Sequence, residues 1–418
     1  MKRQTSLISL LASLAVLAPR AGLGATSVTH TENLSVIGNT GELAVESFQL
    51  AQISEQNSYL LSRIAVVLAK VGQFDRALEI SGTITDEGSV SKDSALRGIA
   101  VTLAEAGEID RALDVAQTVT DFSKTLTLSE IGIALVEAGN VDRALDIAQT
   151  ITDWSKAFAL SKIAVAIAQT GEIDRALDLT QSIADDNWKG SALSEIAVTL
   201  AAAGAADRAL ELTQSITEFP TPLLLQKIAA ALAQAGEIDR ALDVAQTITG
   251  GMFQASALLA IATSLAQAGE IDRALNLAQM MIDEDRKAPA LSGIAVAVAE
   301  VGEIDRALEI SQTLPHGWQT LARSEIAVAV AETGDIEGAL GMAQSLPSDW
   351  QKASALNDIA VTLAAAGNVD RALEIARTLT DNDRQAGALT AIADILAENG
   401  QTEKAAEILE ETIALVGL

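Results

Sequence analysis

Carboxylates are the one abundant reactive group in this 418-residue chain, where 56 Asp and Glu stand against 28 Lys and Arg, two His and no Cys. Two carboxylates at the right separation can act as acid and base in hydrolysis, and oxygen-rich loops can hold calcium. Yet Asp75, Asp110, Asp142, Asp174, Asp239 and Asp272 return at one position of a recurring segment. An active site should break a repeat, and these acids follow it, so a carboxylate-based hydrolase is the weakest of the readings considered. The clusters Asp185-Asp186-Asn187, Asp283-Glu284-Asp285 and Asp381-Asn382-Asp383 lack the calcium-loop pattern that ends in a bidentate Glu, and are expected to cap helices in solvated turns. No phosphate loop, His-Glu-x-x-His, nucleophile elbow or Cys/His pair is present. His30 and His316 cannot between them build a multi-His metal site, and both are expected in solvated segments. The expectation is a non-enzyme without cofactor or metal. A formal charge of −28 also opposes a phosphate backbone, which removes nucleic acid from the expected partners.

The aromatic residues are few, 3% of the chain, and regularly placed. Phe122, Trp154, Trp188, Phe219, Phe253, Trp318 and Trp350 each follow a glycine of the repeat by a similar interval, in the turn between one unit and the next. They are expected to act as wedges between units. The alternative is a rim of rings that anchors a partner, since Trp is enriched at interface hot spots.

The elements that position these groups come from a repeat. Gly72, Gly107, Gly139, Gly171, Gly204, Gly236, Gly269, Gly302, Gly334, Gly367 and Gly400 recur at intervals of 32 to 35 residues. Before Gly107, Leu96, Ile99, Ala100 and Leu103 have the i, i+3, i+4, i+7 spacing of an amphipathic helix, called helix A. After it, Ala112, Val115, Ala116 and Val119 define a second, helix B. The glycine is expected to end helix A in the left-handed region, where a side chain costs about 1 kcal/mol or more. The next residue (Glu108, Asn140, Glu172, Asp335 or Asn368) is expected to cap helix B, and Arg111 to pair with Asp114 at i, i+3. Such a hairpin cannot bury its apolar stripe alone, so the hairpins must stack into a solenoid.

These units resemble the tetratricopeptide repeat. On the copy at Gly107, that family's Trp, Leu, small, Tyr and helix-B Ala positions fall on Leu96, Ile99, Ala100, Leu103 and Ala112, and the copy at Gly139 keeps the family glycine as Gly132. The large aromatic positions hold aliphatic or small residues throughout, the units are a residue or two short, and the closing Pro is missing. The resemblance covers residues 58–418. It implies an all-α, right-handed solenoid of about eleven helix-turn-helix repeats that binds a protein or peptide on an inner surface made by helix A. Arg97, Glu130, Lys162, Glu195, Lys227, Glu325 and Asp358 are then the candidates for that surface. The segment Gly-Glu-Ile-Asp-Arg-Ala-Leu also resembles the turn of pentatricopeptide repeats, but RNA reading needs a basic inner face that this chain lacks. A spacer that holds distance without a specific ligand is the second functional reading.

Residues 1–25 carry Lys2 and Arg3, an apolar stretch from Leu7 to Ala18, and small residues up to Ala25. They are expected to be a secretory signal peptide cleaved near Ala25, giving an exported protein, periplasmic or secreted, with no membrane span after cleavage. Residues 26–57 are expected to be an N-terminal segment with a capping helix over Leu43–Ile53, and Thr402–Val416 a charged terminal helix.

Overall fold

The computed structural model describes residues 58–416, apart from 85–89, 153, 217–220 and 282–283; at Phe122, Trp154, Glu284 and Asp285 it describes the backbone alone. The expected signal peptide, the capping helix over 43–53 and Phe219 lie outside the described residues. Those residues are helices and turns, without a strand. They form eleven hairpins, from 58–70 with Phe74–Thr83 and Val90–Glu105 with Ile109–Ala116 to Asn382–Glu398 with Thr402–Leu415. The fold is an all-α solenoid of helical repeats.

Each hairpin turns on its glycine. All eleven have φ between 76° and 95°, and at nearly all of them an added Cβ would meet open space. Backbone conformation therefore selects glycine here, and crowding does not. In ten of the eleven turns the residue after the glycine donates its N–H back to helix A, as Glu108 does to the Leu103 carbonyl at 2.8 Å. The glycine N–H takes the next carbonyl, Ala104 in that repeat, which completes a Schellman ending.

Small residues set how closely the hairpins stack. The Ala five residues after each glycine, from Ala77 to Ala405, is completely buried in every repeat. In helix A an Ile eight residues before the glycine, from Ile64 to Ile392, is buried just as completely. One apolar core thus runs through the whole array, with no repeat owning a core of its own. Successive helices A pack directly on one another, whereas helices B pack on helices A. That arrangement puts helices A on the tighter, inner side of the curve. It also accounts for their composition, because a helix covered by neighbours on both sides leaves only a narrow stripe for polar residues.

The helix caps differ from expectation. Glu108, Asn140, Glu172 and Asn368 make no side-chain capping bond to helix B; Asp335 alone of that group caps, accepting from the Gly338 N–H at 3.0 Å. For the two glutamates the reason is competition: the Glu108 carboxylate takes Arg111 at 2.7 Å and the Glu172 carboxylate takes Arg175 at 3.2 Å. Gly338 stands where the other repeats have Arg or Lys, so the Asp335 carboxylate is left to the backbone. At the start of helix A the expected capping is present, with Asp185 accepting from the Trp188 N–H and Asp381 from the Arg384 N–H, both at 3.0 Å. His316 is the exposed first residue of the helix His316–Glu332.

Candidate interaction surfaces

Three surfaces are defined by the repeat: an outer face of helices B, an edge of inter-repeat turns, and an inner stripe of helices A. On the outer face the expected pair Arg111–Asp114 does not form. Arg111 instead reaches Asp75 in the preceding repeat at 2.9 Å. The same rung recurs from Arg143 to Asp110, Arg175 to Asp142, Arg208 to Asp174, Arg240 to Asp207, Arg273 to Asp239, Arg306 to Asp272, Arg371 to Glu337 and Lys404 to Asp370. Sequence spacing alone favours a partner on the same helix. Stacking brings an acid of the previous helix B closer, and at Arg111, Arg175, Arg240, Arg273 and Arg306 the guanidinium bridges it to the glutamate at the turn. The hydrogen bond to Asp207 raises the Arg240 pKa, and the hydrogen bond from Lys404 holds the Asp370 carboxyl below its usual range. One rung is missing, between the repeats of Gly302 and Gly334, because Gly338 leaves Asp305 without a cation. The rungs thus occupy the basic residues of the outer face, while Asp114, Asp146, Asp178, Glu211, Asp243 and Glu309 stand exposed on it without an ion pair among the described residues.

At the turn edge the aromatic residues do not share one role. Trp188 is half-buried against Ala157, Ile183 and Ala192, and stacks edge-on to Phe158 with ring centroids 4.9 Å apart. Trp318 packs similarly on Ala288, Leu314 and Ala322, and Phe253 packs on the main core. These three are wedges between hairpins. Trp350 is 57% exposed, beside a cavity of about 260 Å³ lined also by Asp349, Ala353, Leu379, Thr380, Asp381 and Arg384. The side chains of Phe122, Trp154 and Phe219 are outside the described residues.

The inner stripe carries most of the expected contact residues. Half-buried Val66, Val101, Ile133, Val165, Val198, Val296, Val328 and Val361 lie at one position, six residues before the glycine. Glu130, Lys162, Glu195, Lys227, Glu325 and Asp358 lie one turn earlier, with Arg97 a residue before that position. In the first half of the array four of these charges pair and the fifth lies over a ring. Arg97 pairs with Glu130 at 3.4 Å, Lys227 with Glu195 at 2.6 Å, and the Lys162 ammonium sits 5.8 Å from the Phe158 ring centroid. Further along the array the acids stand without a recorded cation. Burial pushes the Glu325 carboxyl up to about 7, and raises Asp358 despite the hydrogen bond it accepts from Asn357 at 3.0 Å. Glu300 is raised by burial as well, and Glu332 by burial and by the charge of Glu300.

A further relationship has no signal in the repeat unit. Lys70 in the first hairpin donates to Asp394 at 2.6 Å and to Glu398 at 2.8 Å in the last, and Arg76 forms a two-pronged pair with Glu410, whose second contact is 2.8 Å. The two ends of the array therefore meet. Burial would push the Lys70 ammonium down, but its bonds to Asp394 and Glu398 outweigh this and raise it, while the hydrogen bond from Arg76 lowers Glu410.

The repeating hairpin, its left-handed glycine and its buried Ala and Ile define an α-solenoid of tetratricopeptide-like repeats. Residues 357–416, the last two hairpins, match the family model described as tetratricopeptide repeat. The crystal structure of Ton1535 from Thermococcus onnurineus NA1 is similar at 20% identity over 70% of this chain and 97% of that one, TM-score 0.28. The pentatricopeptide repeat protein PPR10 from maize is similar at 14% identity over 91% of this chain and 70% of that one, TM-score 0.32. The APC/C hetero-tetramer Cut9-Hcn1 is similar at 15% identity over 91% and 85%, TM-score 0.26. No curated protein matches this chain. Among the described residues no helix is long and apolar enough to cross a membrane, and no group of three or more metal-ligating side chains occurs.

Proposed function

We propose that this protein is an exported, non-catalytic scaffold that holds an extended protein segment along the inner stripe of helices A. The observation that carries the reading is the difference in surroundings between the two faces. The acids without a cation on the outer face, such as Asp114 and Asp146, stand exposed to water, while the inner stripe combines half-exposed Val and Ile with desolvated acids, from Glu300 to Asp358, that have no cation beside them among the described residues. Half-exposed aliphatic side chains gain about 25 cal/mol per Å² when a partner covers them, and desolvated acids favour a partner bearing Lys or Arg. Export rests on the sequence of residues 1–25.

Affinity capture from the extracytoplasmic fraction with wild type and with Val328→Lys/Val361→Lys tests the reading. A specific protein bound by wild type and lost from the variant supports it. No partner, or one retained equally, favours the spacer. N-terminal sequencing addresses export separately, since an intact Met1 on the expressed protein would remove it.

A further inference from the structure

The residues that join the two ends of the array depart from its repeat pattern in complementary ways. Two residues before the glycine, the other ten repeats have Glu, Gln or Ala; the first has Lys70. Six residues before it, ten repeats have Val, Ile, Ala or Thr; the last has Asp394. Ten residues after it, eight repeats have Gln; the last has Glu410. The cation stands in the first hairpin and two of its acids in the last, and they pair across the joint. Capping alone would place charge at both ends without requiring opposite signs at contact distance.

This joint is also built differently from the other ten. Its two hairpins are 324 to 334 residues apart in sequence, so no short turn links them. Its ladder rung is displaced as well. Arg76 occupies the position of Arg111, yet it takes Glu410 rather than Glu403, the acid in the ladder position. That slip of seven residues is about 10 Å along a helix. The bonding side chains are partly open to water, with exposures of 26% for Lys70, 35% for Arg76 and 54% for Glu398 and Glu410. Around them lies like charge: Glu105 in the second repeat is raised first by burial, and the charges of Glu137 and Glu398 add to this against the lowering by Lys70.

We propose that the joint between the first and last hairpins is a charge latch: the array is closed while Lys70 and Arg76 hold Asp394, Glu398 and Glu410, and it opens reversibly as salt screens those pairs. The Debye length falls from about 30 Å at 0.01 M to about 3 Å at 1 M salt, which removes the attraction between partly exposed groups. The ten linked joints, held by their turns and by apolar packing, stay as they are. The latch does not rest on the reading of the inner stripe as a binding surface, although Asp394 occupies the stripe position in the last repeat.

The chain has no cysteine, so pairs of spin labels can be placed by substitution. Glu79→Cys with Glu407→Cys reports the latch, and Asp146→Cys with Asp178→Cys, at the same repeat position, reports a linked joint. Distances are measured in the full chain by pulsed electron resonance in 10 mM and 1 M NaCl. The expected result is one short distance across the latch at low salt that lengthens by more than 10 Å at high salt, with the linked joint unchanged. Lys70→Glu/Arg76→Glu should show the long distance at low salt, and Arg76→Glu/Glu410→Arg should restore part of the short one. An unchanged linked-joint distance in each variant shows that the array is folded. A latch distance that ignores both salt and charge reversal, that is long at low salt in wild type, or that depends on protein concentration would overturn the proposal.

Discussion

Arg111 bridges two repeats: one guanidinium nitrogen lies 2.9 Å from Asp75 of the preceding helix B and the other 2.7 Å from Glu108 at its own turn. The pair between repeats recurs at nine of the ten linked joints, and at five of them the guanidinium also takes its own turn's glutamate. They give the basic residues of the outer face a regular set of partners, and their strength and sequence dependence can be measured.

A double-mutant cycle on Arg175→Ala and Asp142→Ala, read by urea denaturation, should give a coupling of about 0.2–1 kcal/mol at low salt. The coupling should fall toward zero in 1 M NaCl. The corresponding cycle on Arg111 and Asp114 should give none, because Arg111 faces Asp75 and Glu108 instead.

Two glycine replacements should act in opposite directions. Gly236→Ala places a side chain at φ 84° with nothing to clash against, so its cost is the backbone cost alone, about 1 kcal/mol or somewhat more. Gly341→Ala lies inside the helix Ile336–Gln344 with open space around it, and should stabilise by about 0.5–1 kcal/mol. Thermal denaturation of the two variants decides both.

Glu325 should make stability fall as pH rises from about 4.5 to about 7. Its folded pKa, about 7, is above the ordinary 4.5, so the fold binds the proton more tightly than the unfolded chain does. Protonation therefore stabilises the fold as pH drops from above 7 toward 4.5, and the penalty is complete above 7. Glu325→Gln should raise the melting temperature at pH 8 and leave it nearly unchanged at pH 4.5. Equal effects at the two pH values would refute the assignment.

The tryptophans should separate by role. Trp188→Ala removes a ring from the cluster with Phe158 and Ile183 and should cost about 2–3 kcal/mol. Trp350→Ala removes a ring that is mostly in water and should cost less than about 0.5 kcal/mol. Iodide quenching of variants that keep one tryptophan, the other three being replaced by Phe, should be strong for Trp350 and weak for Trp188.

The hairpins were legible because their signals are local. A glycine every 32 to 35 residues, helical spacing on both sides of it, and Ala and Ile at fixed offsets specify two helices and a left-handed turn without reference to anything distant. One position nine residues before the glycine likewise places Glu130, Lys162, Glu195, Lys227, Glu325 and Asp358 on one face of helix A. Reading a glutamate after the glycine as a cap failed at Glu108 and Glu172, where an arginine three residues along offers a charged partner and the carboxylate turns to it. The seven aromatic positions looked alike in sequence. Only the packing at each turn separates buried-edge Trp188 and Trp318 from exposed Trp350.

The sequence by itself determined the repeating unit, the unit's two helices, and the absence of thiol chemistry, because each follows from residue type and spacing along a short stretch. The tertiary structure decided which charges meet. Arg111 chooses Asp75 over Asp114 because stacking brings the neighbouring helix within reach, and Lys70 finds Asp394 because small inter-repeat rotations accumulate over eleven hairpins until the ends touch. That accumulated curvature is a property of the whole array, and no single repeat contains it.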